Sequence, residues 1–201
     1  MNRLFFFDID TQRDFMLPGG ALYVPGAEKI VPKLRRLVDC ARRNGILIVS
    51  SVDAHAPADP EFEQFPPHCV KGTEGQRKID DTVVGRPLVL ENRPLDRNLL
   101  QVVAQNAQIV VEKQALDVFT NPITEKLIRA LPQFAVVFGV TTEHCVRHAV
   151  LGLRRRSVKT AVVSDAIAAL SPETGRAALD EMRGAGAELT TTDALLEAYA
   201  A

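Results

Sequence analysis

Tryptophan is absent from this 201-residue chain, and the other aromatic residues are few, with 9 Phe and 2 Tyr. Neither sign of charge is in excess, because 24 Lys and Arg are balanced by 25 Asp and Glu, for a formal net charge of −1. Binding to a nucleic acid depends on a strongly positive surface, so we expect no nucleic-acid partner. No apolar run is long enough to cross a bilayer, so we also expect no membrane partner.

Cysteine is rare as well, and its three copies, Cys40, Cys69 and Cys145, lie at unrelated spacings. An odd number without a repeating pattern argues against a disulfide framework and for a reducing compartment. The apolar run 4–7 near the start is interrupted by Asp8 and Asp10, and no small-residue cleavage site follows. We therefore interpret this run as a buried strand rather than a signal peptide, and we expect a cytoplasmic protein.

Short apolar runs alternate with longer helical patterns along the chain. Strands are predicted at 4–7, 46–50, 109–111, 134–138, 158–163 and 188–190, and helices at 27–43, 122–130, 143–155, 172–183 and 193–199. Mostly apolar strands separated by helices are typical of a parallel sheet covered on both faces. We predict an α/β fold: one three-layer α/β/α domain over residues 1–201, with a mostly parallel six-stranded sheet.

Residues 51–97 break this rhythm. They are rich in Pro, Gly, His and acidic residues and show little helical periodicity. A loop of this length inside a compact domain is usually functional or disordered. We interpret it as an insertion that carries metal and substrate contacts.

The residues that follow each predicted strand carry the chemistry, because ligands bind beyond the carboxyl ends of strands in an open parallel sheet. Asp10 follows the first strand and Asp53 the second. Lys113 follows the third, and the segment 139–145 after the fourth ends in Cys145. An acid, an amine and a thiol are therefore expected at one rim. Asp165 follows the fifth strand and points to the same rim, without an obvious partner.

Cys145 is predicted in the first turn of a helix, where free N–H groups and the helix dipole lower a thiol pKa and can hold an oxyanion. Asp10 and Lys113 can supply the base and the electrostatic partner that a nucleophile needs. Two alternatives stay open. Cys145 can be a buried apolar side chain, as most cysteines are. His144 or His148 can belong to packing or surface, or act as the base, although side chains on one helix project side by side rather than towards each other.

A candidate metal site lies in the irregular segment. Asp53 and His55 leave an extended stretch on the same side, and Glu61 and His68 follow farther along. Two imidazoles and two carboxylates suit Zn²⁺, Mn²⁺ or Fe²⁺ with positions left open for a ligand. The alternative is that Asp53 caps a turn and the histidines are exposed.

Residues 10–15 read Asp-Thr-Gln-Arg-Asp-Phe, and residues 139–146 read Gly-Val-Thr-Thr-Glu-His-Cys-Val. With Lys113 between them, these segments resemble the isochorismatase-like cysteine hydrolases, and the resemblance runs over nearly the whole chain. It implies the Rossmann-like fold of that family. It also implies that Asp10, Lys113 and Cys145 are the catalytic residues.

Residues 53–55 and 65–73 resemble the metal loop of the nicotinamidase/pyrazinamidase branch. This resemblance implies a divalent metal ion, with Zn²⁺ favoured and Mn²⁺ or Fe²⁺ as alternatives. It implies His68 as a ligand together with Asp53 and His55. Glu61 occupies the position of the fourth ligand, and neighbouring Asp59 is the alternative.

Phe15 and Phe65 correspond to the aromatic positions that hold a pyridine ring in that branch, and Phe65 stands where Trp is more usual. Residues 113–119 depart from the Tyr/Ser/Gly-rich stretch of well-known nicotinamidases. The backbone N–H groups of Thr141 and Cys145 are implied as the oxyanion hole. The peptide bond that enters Thr141 is implied to be cis.

The function implied by this resemblance is hydrolysis of nicotinamide to nicotinate and ammonia through a thioester on Cys145. The partner is then a small-molecule amide, and a homo-oligomer of unspecified size is compatible with the family. One alternative is a hydrolase of the same family that acts on another small amide or carbamoyl compound. A lesser alternative is an inactive protein that binds a pyridine. Asp8, an extra acid on the first strand, receives no role.

Overall fold

Seven parallel strands form the sheet of the computed structural model, which describes residues 4–95 and 98–199. The strands are β1 (Phe5–Ile9), β2 (Ile48–Asp53), β3 (Leu88–Leu90), β4 (Gln108–Lys113), β5 (Phe134–Val140), β6 (Lys159–Ala168) and β7 (Glu188–Thr190). Their order across the sheet is β3-β4-β2-β1-β5-β6-β7. The α/β class is therefore confirmed.

The predicted number of six strands was wrong by one. The additional strand, β3, is an edge strand of three residues inside the segment that we had interpreted as irregular. Its central residue, Val89, is half exposed. So short and exposed a strand lacks the continuous apolar run by which the buried strands were recognised.

Helices cover both faces of the sheet. They are α1 (Arg13–Met16), α2 (Val31–Asn44), α3 (Leu99–Gln105), α4 (Thr124–Arg129), α5 (Arg147–Arg155), α6 (Pro172–Gly184) and α7 (Thr192–Glu197). The apolar residues of α3 to α6 pack into one core cluster, and those of α1, α2 and α7 pack into the other. Three layers result, as predicted. No helix among residues 4–95 and 98–199 is long and apolar enough to span a membrane.

The ends of two long helices follow the expected capping chemistry. Gly45 terminates α2 with a φ of 61°, a left-handed conformation that glycine adopts without steric cost. The hydroxyl of Ser171 accepts the N–H of Thr174 at the start of α6. Helices α1 and α3 were not predicted, because four and seven residues are too few for a clear helical periodicity.

The segment after β2 packs against the carboxyl end of the sheet. It contains the 3₁₀ turns Pro60–Glu63 and Asp80–Thr82 as well as β3. Isolated backbone bridges join His55 to Val70 and Gln12 to Lys78. These bridges hold the segment beside the point where β1 and β2 end, which is the rim that carries the polar residues.

Candidate active site

Four adjacent strands bring the predicted polar residues to one rim. Lys113 ends β4, Asp53 ends β2, Asp10 follows β1, and Cys145 lies in the turn after β5. These strands are neighbours in the order β4-β2-β1-β5. Asp53 and Lys113 are direct partners in the parallel register, which explains how two residues 60 positions apart come into contact.

The side chain of Asp10 departs from the alternation of β1. Phe5, Phe7 and Ile9 pack into one core cluster and Phe6 into the other, so a regular strand would turn residue 10 towards the side of Phe6. Asp10 instead has a φ of 48°, in the left-handed region that Asp tolerates better than most residues.

The carboxylate of Asp10 lies near Cys145 in this conformation. Ser51 Oγ donates a hydrogen bond of 2.7 Å to Asp10 Oδ1. Asp10 and Cys145 belong to a group of three residues, completed by Asp53, whose ligand atoms lie within 4.8 Å of one another. The carboxylate of Asp10 is fully buried, so its contacts in this group act in a medium of low polarity.

Cys145 occupies a π-helical turn, Thr142–Val146, that leads into α5. Lys113 Nζ lies 3.4 Å from Cys145 Sγ. Burial raises the pKa of the Cys145 thiol well above its usual range, although the charge of Lys113 acts in the opposite direction. The expectation that the start of the helix would lower this pKa was therefore wrong, because desolvation of the thiolate is the larger effect. For Cys145 to react as a thiolate, a base has to remove the proton of its thiol.

Lys113 is the centre of the buried charge cluster. Its ammonium group lies 2.9 Å from Asp10 Oδ2 and in closer contact with Asp53 Oδ1. Burial alone would lower the pKa of Lys113, but the two carboxylates outweigh it, and the pKa rises well above the usual range. Burial raises the pKa of Asp53 to about 7 in spite of the opposing charge of Lys113. The raised pKa favours the charged form of Lys113 beside the thiol.

The predicted metal residues converge on the outer side of Asp53. Asp53 Oδ2 lies 3.9 Å from His55 Nε2 and 3.9 Å from His68 Nε2. One ligand atom from each of these three residues falls within a mutual distance of 4.8 Å. Glu61 Oε1 lies 4.0 Å from His68 Nε2. All four predicted ligands are thus close together, and the histidines are buried rather than exposed.

Asp59 plays a different part from Glu61. Asp59 Oδ2 lies 3.0 Å from His55 Nδ1, and Asp59 Oδ1 accepts the N–H of Glu61. Asp59 therefore contacts Nδ1 of His55, on the side of the ring opposite to Nε2. The Nδ1 of His68 likewise contacts Pro66 O at 2.8 Å. Outer contacts of this kind orient the imidazoles of metal sites, and here both Nε2 atoms are turned towards Asp53.

The donor set fits a divalent ion. His55 Nε2 is buried and has no hydrogen-bond partner among the described residues, which is an unusual condition for a buried polar atom. Burial lowers the pKa of His68, which favours the neutral imidazole that binds metals. An imidazole–carboxylate set is typical of Zn²⁺, Mn²⁺ or Fe²⁺ sites.

A narrow pocket, partly open to solvent, joins the two clusters. Its polar lining includes Asp10, Cys145 and His68, and its apolar lining includes Phe15 and Phe65. The ring centroids of Phe15 and Phe65 lie 5.3 Å and 6.3 Å from that of His68. Both predicted aromatic residues are thus at the pocket, next to the candidate metal ligands.

Thr141 and Cys145 also line this pocket. The Val140–Thr141 peptide bond is cis, as the resemblance implies. Thr141 O accepts the N–H groups of His144 at 3.3 Å and Val146 at 3.1 Å, so the turn folds back on Thr141. The use of the Thr141 and Cys145 N–H groups as an oxyanion hole stays a prediction.

Of the alternative bases, His144 lines the pocket, whereas His148 is absent from its lining. The ring of His144 packs edge-on against Phe65, with centroids 5.9 Å apart. His148 is half-buried on α5, and burial lowers the pKa of its imidazole. The charged groups that the structure brings near Cys145 Sγ are those of Lys113, Asp10 and Asp53.

Two residues of the first motif hold the site together without having received a role from the sequence. Gln12 donates to Asp53 O at 2.8 Å and accepts the Asp53 N–H at 2.7 Å, which fixes the end of β2. Asp14 Oδ2 accepts the N–H of Cys69 at 2.7 Å, next to His68. The position of Gln12 and Asp14 within the motif at 10–15 was the available sign in the sequence that they have a role. The partners were not visible, because they lie about 40 and 55 residues away.

Phe62 was not predicted at all. Its ring lies 5.3 Å from His55 and 5.7 Å from His68, measured between centroids, so it packs on both imidazoles. It belongs to the turn Pro60–Glu63, where no periodicity in the sequence indicates which side chains face the histidines.

Comparisons with known proteins agree with this fold. A family model described as the isochorismatase domain matches residues 5–194. A nicotinamidase/pyrazinamidase of Mycobacterium tuberculosis is 28% identical over 193 residues, which cover 90% of this chain and 95% of that protein. A probable inactive nicotinamidase of Arabidopsis thaliana is 25% identical over 193 residues, covering 91% and 89%.

A solved structure of the pyrazinamidase of Pyrococcus horikoshii in complex with zinc superposes with a TM-score of 0.78 at 27% identity, covering 94% of this chain and 99% of that one. The chain therefore belongs to the isochorismatase family. Within that family, these relatives represent the nicotinamidase/pyrazinamidase branch that the two motifs and the metal loop resemble.

Proposed function

We propose that this protein is a metal-dependent cysteine amidohydrolase that converts nicotinamide and water into nicotinate and ammonia. The observation that carries the proposal is the buried position of Lys113 Nζ, 2.9 Å from Asp10 Oδ2 and 3.4 Å from Cys145 Sγ. Burying such a charged group is costly, and a protein that only binds a ligand needs neither the thiol nor its charged neighbours. One relative is named a probable inactive nicotinamidase, so measured turnover is the decisive test.

The first half of the reaction forms a thioester. Asp10 takes the proton of the Cys145 thiol while the sulfur attacks the amide carbon. Lys113 stabilises the negative charge that develops beside it. The N–H groups of Thr141 and Cys145 hold the oxyanion, and losing one such donor typically costs about 3–4 kcal/mol of transition-state stabilisation. Asp10 then gives the proton to the leaving nitrogen, the C–N bond breaks, and ammonia departs.

The second half returns the enzyme to its starting state. Asp10 takes a proton from water as the water oxygen attacks the thioester carbon. The C–S bond breaks, nicotinate is released, and the proton passes from Asp10 to the sulfur of Cys145. One water is consumed for each amide, and the protonation state of Asp10 is restored.

Asp53, His55, Glu61 and His68 would hold the divalent ion. Once bound, the ion supplies a Lewis-acid position that suits the pyridine nitrogen of nicotinamide. Phe15 and Phe65 would pack on the ring and position the carboxamide near the sulfur, which is the positioning contribution to catalysis. The zinc complex of the Pyrococcus horikoshii pyrazinamidase supports Zn²⁺, although the same donors accept Mn²⁺ and Fe²⁺. The three cysteines are unpaired, which supports a reducing compartment such as the cytoplasm.

Ammonia release from a panel of amides tests the proposal. The panel contains nicotinamide, pyrazinamide and several aliphatic and carbamoyl amides, and the proteins are the wild type, Cys145→Ala and Cys40→Ala. Cys40 is a matched control because it is equally buried but lies on α2. We expect turnover of nicotinamide by the wild type and Cys40→Ala, and none by Cys145→Ala.

Each other result has a distinct meaning. Turnover by Cys145→Ala would remove this residue as the nucleophile. Preference for another amide or a carbamoyl compound would keep the hydrolase and replace nicotinamide as the substrate. If no member of the panel releases ammonia with the metal-loaded wild type, the amidohydrolase proposal is wrong.

A further inference from the structure

Asp8 is a buried acid that the proposed reaction does not use. Its side chain is fully buried, and it does not line the pocket. It accepts hydrogen bonds from Thr11 Oγ1 at 2.9 Å, Ser50 Oγ at 3.0 Å and Lys78 Nζ at 2.5 Å. Lys78 is itself 9% exposed. Because a buried ion pair costs desolvation and adds little net stability, its presence suggests a role in specifying geometry.

The contacts of Asp8 bracket the catalytic base. Thr11 donates to Asp8 and accepts from Lys78 at 2.7 Å, so residues 8 and 11 are tied together through their side chains. Asp10 lies between them in its left-handed conformation, and the N–H of Gln12 donates back to Asp10 O at 2.7 Å. The turn that directs the Asp10 carboxylate is therefore closed by a hydrogen bond across it.

Lys78 connects this turn to the segment that follows the metal loop. The N–H of Ile79 donates to Thr11 O at 2.9 Å, and the backbones of Gln12 and Lys78 form an isolated bridge. The hydroxyls of Thr11 and Thr82 are 2.8 Å apart. The network therefore joins the end of β1 to a segment about 70 residues later in the chain.

We infer that Asp8, Thr11 and Lys78 form a buried polar brace that positions Asp10 against Cys145. The three residues are positioning residues, since none of them reaches the reacting atoms. The brace holds residue 10 in the left-handed conformation, so that its carboxylate turns away from the side of Phe6 and towards the thiol. The inference rests on the proposed role of Asp10 as the base.

A pair of variants at Thr11 isolates the brace. Thr11→Ser keeps the hydroxyl and Thr11→Val removes it with little change in shape. Thr160→Val is the matched control, because Thr160 is another buried threonine of the sheet whose hydroxyl donates to a neighbouring backbone oxygen, Val158 O. Lys78→Met tests the other end of the brace and leaves no polar head group behind.

Two readouts follow the position of Asp10. The first is the rate of alkylation of Cys145 by iodoacetamide, with the modified cysteine identified by peptide mass spectrometry. The second is kcat and KM for the amide that the wild type hydrolyses. We expect Thr11→Val and Lys78→Met to lower the alkylation rate and kcat by on the order of 10²-fold with little change in KM, the loss that follows from displacing a catalytic group by about 1 Å.

We expect Thr11→Ser and Thr160→Val to retain both rates. If Thr11→Val and Lys78→Met fold and also retain both rates, the brace does not position Asp10. If Thr160→Val loses as much as Thr11→Val, the loss is a general effect of stability and the inference fails. A wild type that alkylates rapidly at Cys145 but hydrolyses no amide would contradict the proposed function alone, because the alkylation comparison still reports on the brace.

Discussion

The ammonium group of Lys113 lies 3.4 Å from the sulfur of Cys145, and both side chains are almost completely buried. Burial keeps the thiol protonated and the carboxylates of Asp10 and Asp53 keep the amine charged, as the raised pKa values of Cys145 and Lys113 show. The resting site therefore pairs a neutral thiol with a cation that is ready to stabilise a thiolate. In the proposed mechanism, a proton transfer from Cys145 to Asp10 separates this resting state from the reactive one.

Removing the charge of Lys113 should affect both stability and activity. Lys113→Met leaves the carboxylates of Asp10 and Asp53 buried without their cation, and breaking a buried pair typically costs about 3–5 kcal/mol. We expect a comparable loss in the free energy of unfolding, measured by urea titration, and no detectable amide turnover. Lys33→Met is the control, because its ion pair with Asp165 is partly exposed. Wild-type kcat in folded Lys113→Met would exclude the electrostatic role.

Metal content should distinguish Glu61 from Asp59. Glu61→Ala removes a proposed ligand, so we expect the largest loss of bound metal, measured by inductively coupled plasma mass spectrometry after dialysis. Asp59→Asn weakens only the orientation of His55, and outer-shell changes typically cost about 10–100-fold in affinity. Glu63→Ala, on the same turn but exposed, should bind metal like the wild type.

Equal metal loss in Glu63→Ala and Glu61→Ala would contradict the assignment of the fourth ligand. Removal of the metal with a chelator should suppress turnover of nicotinamide, and re-addition of Zn²⁺, Mn²⁺ or Fe²⁺ in turn should restore it. Turnover that is indifferent to a chelator would show that the ion has no part in the reaction, whichever residues bind it.

Asp165 is a structural acid rather than a partner of the active site. Its Oδ1 accepts the N–H of Thr192 at 2.8 Å, and its Oδ2 lies 3.0 Å from Lys33 Nζ. Burial alone would raise the pKa of Asp165, but the bonds from Thr192 and Lys33 outweigh it, so the pKa is lowered. No partner of Asp165 was obvious from the sequence, because both partners lie far away in it.

The lowered pKa of Asp165 determines how its contribution to stability changes with pH. A carboxyl group whose pKa is lower in the folded state stabilises the fold above its unfolded pKa of about 3.9, and this stabilisation is lost as the pH falls through the folded pKa. At pH 7 we expect Asp165→Asn to lower the free energy of unfolding by about 1 kcal/mol. Below the folded and unfolded pKa values of Asp165 we expect no difference from the wild type. Asp193→Asn, at an exposed pair, should lose about 0.5 kcal/mol or less. A pH-independent loss in Asp165→Asn would contradict this account.

Gly139 is required where β5 passes β1. A Cβ atom at residue 139 would lie 2.1 Å from Ile9 O, and its φ of 120° is one that side chains rarely adopt. We expect Gly139→Ala to lose at least about 3 kcal/mol of unfolding free energy, since neither backbone can move without breaking the sheet. Gly184→Ala, at the end of α6 with open space around it, should instead gain about 0.5–1 kcal/mol. Equal effects of the two changes would contradict the close contact.

The chain order of the polar residues was sufficient to place Asp10, Asp53, Lys113 and Cys145 at one edge of the sheet. The reason is geometric: parallel strands end at the same side, so whatever follows them meets there. The motifs at 10–15 and 139–146 pointed to the family because the residues of each motif are contiguous in sequence. Strands and long helices were likewise visible, because their periodicity is local.

The tertiary structure alone decided three features of the site. It turned the Asp10 carboxylate out of the strand alternation, it placed Asp59 behind His55 rather than beside His68, and it raised the thiol pKa of Cys145 instead of lowering it. The first and third depend on burial or on contacts between residues distant in sequence, and the second depends on the conformation of the turn between His55 and Asp59. The desolvation of a charge and the approach of a side chain from another strand leave no trace in a local pattern, so the folded packing had to supply them.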